Sequence, residues 1–165
     1  MCLTLLAPLP GCRGGDAADV PIHDRLWLTA VPKKPKDSVG VLAVVRASEK
    51  WQYGWLFKGS LLRGTYDTFH WQPDGEHKAA MRMIQDDKVY KVRTEACEPS
   101  AGFHYCVLVH GDPQGEVRYQ SRKLWGLSRP KSSAMGFDLN AELTRLAEQD
   151  PELAGLLADV EDEAR

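Results

Sequence analysis

The stretch Trp51–Phe57, WQYGWLF, places an aromatic residue at every second position: Trp51, Tyr53, Trp55 and Phe57. A repeat of two belongs to a strand and puts all four rings on one face, whereas a helix would scatter them. The same kind of segment recurs along the chain. RLWLTAV (25–31), GVLAVVRAS (40–48), LLRGTYDTFHW (61–71), HKAAMRMIQ (77–85), KVYKVRT (88–94), FHYCVLVH (103–110) and EVRYQSRKLWGL (116–127) all have the length and apolar content of strands. The breaks between them, among them PKKPKDS, GS, PDG, DD, EPSAG and GDPQG, carry the residues that turns require. HKAAMRMIQ is the most ambiguous of the set, because Ala and Met suit a helix equally well.

About eight short strands at regular spacing predict a mainly β domain, an antiparallel meander over residues 24–129 that either closes into a barrel or folds into a sandwich. Gly54, Gly64 and Gly126 fall inside strand patterns, where glycine often marks a bulge or bend. The pattern changes after Pro130. A linker precedes LNAELTRLAEQ, with Asp138 placed to cap it and Leu139, Leu143 and Leu146 at helical spacing. Asp150-Pro151 then has the form of an N-cap followed by proline at the first helical position, opening a second short helix with Leu153, Leu156, Leu157 and Val160 on one side. Residues 130–165 are thus read as a linker and two helices.

These helices are acidic. The chain of 165 residues has 21 bases and 23 acids, and residues 137–165 hold nine of the acids and two of the bases, leaving 19 bases and 14 acids elsewhere. A mildly basic body with an acidic tail could meet an anionic surface, although a solvated helix face on a β domain explains the same numbers. At 43% hydrophobic and 27% charged the chain has the composition of a folded domain.

The first residues read differently. LTLLAPLPGC is apolar up to Cys12, and Leu9-Pro10-Gly11-Cys12 resembles a bacterial lipobox through Leu9, Gly11 and Cys12. The resemblance implies that residues 1–12 are a truncated signal peptide and that Cys12 carries the lipid. Residues 13–23 lack periodicity and are rich in Gly, Ala and Asp, as expected of a flexible tether between an anchor and a domain. The alternative is a cytoplasmic protein in which Cys12 has no role. Cys97 and Cys106 flank EPSAGFHY, a turn between two strand-like runs, and cross-strand neighbours at such a hairpin lie close enough for a disulfide. An oxidising compartment would permit that bond.

No stretch frames a reaction. There is no phosphate loop, dinucleotide fingerprint, nucleophile elbow or zinc-protease helix. His104 and His110 would lie about 20 Å apart on an extended strand, too far to share an ion, and no cysteine or histidine pair stands at zinc-ligand spacing. The chain is therefore read as non-enzymatic, without cofactor or metal. The aromatics Trp51, Tyr53, Trp55, Phe57, Tyr66, Phe69 and Trp71, near Lys58, Arg63, Arg82 and Lys91, could stack on bases or sugars. The default is that they form the core or line a cavity, with no role for nucleic acid.

KLWGLSRP (123–130), followed by a helix, is similar to the last barrel strand and following helix of bacterial lipocalins through Trp125, Leu127, Ser128, Arg129 and Pro130. That resemblance implies an eight-stranded barrel whose cavity holds a small hydrophobic ligand, with Trp51, Tyr53, Trp55, Phe57, Tyr66 and Trp125 as candidate lining residues. Two functions are thus expected of an exported, lipid-anchored cell-envelope protein. The first is a structural or protein-interaction module at the membrane surface. The second is a lipocalin-like carrier of a small apolar ligand.

Overall fold

The computed structural model describes residues 22–34, 36–48, 52–60, 63–128 and 139–155. Cys12, Trp51 and Asp138 lie outside the described residues, as do Leu156, Leu157 and Val160. Among the described residues, eight antiparallel strands follow one another around a closed barrel: β1 (Arg25–Leu28), β2 (Val39–Arg46), β3 (Gln52–Gly59), β4 (Gly64–Pro73), β5 (Lys78–Met83), β6 (Val89–Ala96), β7 (Tyr105–Asp112) and β8 (Gly115–Ser121). The ambiguous segment HKAAMRMIQ is a strand. Ala79, Met81 and Met83 are buried, at a period of two. Helix α1 (Leu139–Ala147) and a second helix, α2 (residues 151–155), complete the described chain.

Two apolar clusters lie on opposite faces of the barrel wall. The inner one contains Trp27, Leu42, Val44, Leu56, Phe69, Trp71, Met81, Val92, Val109 and Tyr119. Each such side chain contributes about 1.5–3 kcal/mol on burial. The Trp27 indole is satisfied within this cluster, donating from Nε1 to the Ile22 carbonyl at 2.9 Å. The outer cluster contains Leu26, Leu28, Val39, Ala43, Val45, Phe57 and Trp125, covered by Leu146 of α1 and Leu153 of α2.

The aromatic row of β3 faces the opposite way from the expected one. Leu56 of β3 pairs with Leu42 and is inside, so Tyr53, Trp55 and Phe57 point out of the barrel. The inward positions of β3 are Gln52, Gly54 and Leu56. The reason lies in β4: Phe69 sits opposite Gly54, and a Cβ at residue 54 would come within 2.1 Å of the Phe69 ring. An aromatic at that position would compete with Phe69 for one volume. Gly54 therefore provides room for a neighbour rather than marking a bulge. The register shift in the ladder lies instead between His110 and Asp112, where Gly111 takes a φ of +80°.

The two ends of the barrel also depart from expectation. Ile22 is buried in the inner cluster and His23 bridges to Val44, so the fold takes in the last two residues assigned to the tether. The eighth strand stops at Ser121, not Leu127. The chain turns at residues 122–124 and then returns to β1, with Leu26 N–H donating to the Trp125 carbonyl and Leu127 N–H to the Asp24 carbonyl, both at 2.9 Å.

The helices dock through charge as well as apolar area. Asp150 accepts from the backbone N–H groups of Glu152 and Leu153, the N-cap expected from sequence. The same carboxylate accepts from Trp125 Nε1 at 2.8 Å and pairs with Arg122 at 2.9 Å. Burial works against the charged Asp150, but the Trp125 and Arg122 hydrogen bonds outweigh it and hold the carboxyl below its ordinary pKa.

Candidate functional site

The barrel interior is occupied by side chains. Trp27, Tyr119, Phe69, Leu42, Leu56 and Met81 are fully buried there. The aromatics proposed as ligand contacts lie elsewhere. Tyr53 packs on His70 on the outer face at 4.8 Å between ring centroids, and Phe57 packs on Tyr66 at 4.7 Å. Trp55 and Trp125 belong to the outer cluster near the helices. None of these described residues contributes to the inner cluster.

A hollow of about 530 Å³ lies against β4 and β5 and the turn into β6. Its walls include His70, Gln72, Ala80, Arg82, Asp87 and Val89 and, from inward positions, Gln52, Trp71 and Met83. The register explains the depression. His70 stands opposite Arg82, Gln72 opposite Ala80, and Arg82 opposite Val89, all on the outer face. Ala80 is the short side chain in this row, so the wall dips there while longer neighbours rise around it. Arg82 approaches Asp87 at 3.6 Å, and Ile84 and Val89 are 50% and 51% exposed. The result is a concavity offering guanidinium, imidazole and amide groups beside exposed aliphatic surface. Such a surface suits an extended polar chain with apolar side groups. Ala80, Ile84 and Val89 sit in segments the sequence marks only as strand and turn, so nothing local distinguished this face.

At one end of the barrel, His23 lies edge-on to Trp71 at 6.3 Å. Burial pushes its imidazole below the ordinary value, and the Arg46 guanidinium adds to this against the opposing pull of Gln52 and Asp24. Asp24 in turn holds Arg46 through Nε at 3.1 Å and Nη2 at 3.0 Å. These groups tie residues 22–24 to the barrel. His110 is half-buried, flanked by Glu116 at 2.8 Å and Glu95 at 3.6 Å. His104 is not part of that group; its Nδ1 faces the backbone N–H of Lys123. Among the described residues, no three His, Cys, Asp or Glu side chains gather as a metal set.

Cys97 and Cys106 form the disulfide expected from their hairpin, with Cα atoms 5.0 Å apart. Cys106 is buried, whereas Cys97 is partly exposed. The loop they close is fixed by Ser100 N–H donating to Gln120 Oε1 at 2.6 Å and by Phe103 packing edge-on against Trp125 at 5.9 Å. Arg118, on the neighbouring strand β8, reaches back with Nε 3.2 Å from Cys106 Sγ, and its other arm donates to the Glu98 carbonyl. An open concavity of about 520 Å³ lies beside them, lined by Cys97, Glu98, Pro99, Leu108 and Arg118. Among the described residues, no helix is long and apolar enough to cross a membrane. No protein-family model matches the chain, and comparison with curated proteins and with solved structures returns no match.

Proposed function

We propose that this chain is an exported, non-enzymatic protein of the cell envelope, held at a membrane surface by a lipid on Cys12 and recognising a protein partner with the outside of its barrel. The observation that carries this reading is the division of labour in the wall. Inward positions are filled by Trp27, Leu42, Phe69 and Tyr119, while polar groups and exposed aliphatics gather around a surface hollow that also reaches Trp71 and Met83 of the inner cluster. A barrel packed in this way acts as a scaffold, and its chemistry lies on its surface. The Cys97–Cys106 disulfide supports an oxidising compartment.

The second reading is a lipocalin-like carrier. The closed eight-stranded barrel supports it, and the filled interior weighs against it. The deciding experiment expresses the gene with its upstream region and follows incorporation of a labelled fatty acid. Labelling should occur, be lost in Cys12→Ala, and accompany the membrane fraction. Labelling that survives the substitution, or a product confined to the cytosol, overturns the anchor. Native mass spectrometry of the same material separates the two functions: a copurified lipid favours the carrier, and an unliganded mass favours the interaction module.

A further inference from the structure

We infer that the Cys97–Cys106 disulfide is a site of thiol exchange, attacked at Cys97 by an incoming thiolate and assisted by Arg118, which receives the charge left on Cys106. This goes beyond the envelope-module reading and does not depend on a lipid anchor.

The two sulfurs differ in surroundings. Cys97 is partly exposed and lines an open concavity, so a thiol can approach it. Cys106 is buried and sits beside a guanidinium, with Arg118 Nε 3.2 Å from its Sγ. Thiol exchange is fastest when the sulfur that departs is the better-stabilised thiolate, and a neighbouring Arg supplies that stabilisation. Access and leaving-group stabilisation thus point in one direction, with attack at Cys97 and departure of Cys106. Glu98 lines the same concavity, and its backbone carbonyl holds the other arm of Arg118, keeping the guanidinium turned toward the sulfur.

The co-reactant is a thiol, either a small dithiol or the cysteine pair of a thiol–disulfide oxidoreductase. In the first step the attacking thiolate forms a new S–S bond to Cys97. The Cys97–Cys106 bond breaks, and Cys106 leaves with the electron pair as a thiolate beside Arg118. In the second step the donor's other thiolate attacks the donor sulfur of the mixed disulfide, releasing Cys97 and closing the donor's own disulfide. The protein disulfide gains two electrons, the dithiol is oxidised by two, and the dithiol's two protons end on Cys97 and Cys106. The loop so released covers Trp125 and Arg122 through Phe103, so reduction at this site loosens the cover over the residues that hold the helices.

The test is the rate of thiol release from the oxidised full chain under dithiothreitol, in wild type, Arg118→Gln and Arg118→Lys. Arg118→Gln should slow reduction by roughly three- to tenfold, and Arg118→Lys should recover part of the rate. If Arg118 only braces the loop, its loss would leave the rate unchanged or increase it, and either result overturns the inference. A second measurement needs no variant. With glutathione as the thiol, acid quenching, alkylation and peptide mapping should place the mixed disulfide on Cys97, and a mixed disulfide found mainly on Cys106 would overturn the assigned direction.

Discussion

The β3–β4 hairpin and the β1–β8 seam close the same barrel by different means. Between β3 and β4 eight residue pairs run without interruption from Gln52↔Trp71 to Gly59↔Gly64. Between β1 and β8 there is a single strand pair, Leu28↔Gln120. The seam is completed by the chain beyond the turn, through the backbone bonds at Trp125 and Leu127, and by side chains. Ser121 Oγ donates to the Leu26 carbonyl and Arg25 Nη1 to the Arg122 carbonyl, each at 2.7 Å. Asp150 then fastens Arg122 and Trp125 from the helical side. The hairpin is held by one long backbone ladder, and the seam by a few backbone bonds and a clasp of side chains that barrel closure and helix docking share.

The most severe way to break the comparison is to remove the clasp. Asp150→Ala removes the carboxylate that Trp125, Arg122 and the first turn of α2 share, leaving the half-buried Arg122 with Glu152 alone, and should cost about 2–4 kcal/mol in urea unfolding. Hydrogen exchange should locate the damage, with the Leu26 and Leu127 amides losing protection before those of β3 and β4. A cost below about 1 kcal/mol would mean the seam stands without Asp150. Acid should act similarly. The folded Asp150 pKa lies below its ordinary value near 3.8, so its contribution is present above that value and is lost as pH falls through the folded pKa. Wild type should therefore lose stability below about pH 4 more steeply than Asp150→Asn.

The hairpin should fail by crowding instead. Gly54→Ala places a Cβ against the Phe69 ring and within 2.8 Å of the Ala43 carbonyl, and should cost about 1–3 kcal/mol. Combined with Phe69→Leu it should cost less than the sum of the two single changes, and strict additivity would show that the ring is not what fills the space. The smallest effect is expected on the hairpin's outside. Tyr66 is 56% exposed and packs on Phe57, so Tyr66→Ala should cost about 0.5–1 kcal/mol by thermal unfolding. A larger loss would show that the outer aromatic row bears part of the barrel's stability.

The strands were legible because turn residues punctuate them, except that HKAAMRMIQ suits a helix equally well in sequence and only the burial of Ala79, Met81 and Met83 shows its period of two. The side taken by each row was not legible. A repeat of two groups Tyr53, Trp55 and Phe57 on one face but does not say which face is inside. That choice is made by β4, where Phe69 needs the empty position at Gly54. The end of β8 was hidden for a similar reason: Trp125 continues the apolar pattern of a strand, yet it packs under helices remote in sequence. The disulfide could be read because its partners flank the turn between two adjacent strands, Cys97 just past β6 and Cys106 in β7. The hollow could not, because its walls come from β3, β4, β5 and the turn into β6, which only the register brings together.

The clasp also determines how the molecule would bear load. Tension applied at the C-terminal end of α2 passes through Asp150, whose bonds to Arg122 and Trp125 hand it to the seam. A few separate contacts yield one after another, whereas the eight pairs of β3 and β4 share a load across many bonds. A pull from the C-terminal side should therefore open the barrel at β1 and β8 while the β3–β4 hairpin is still intact.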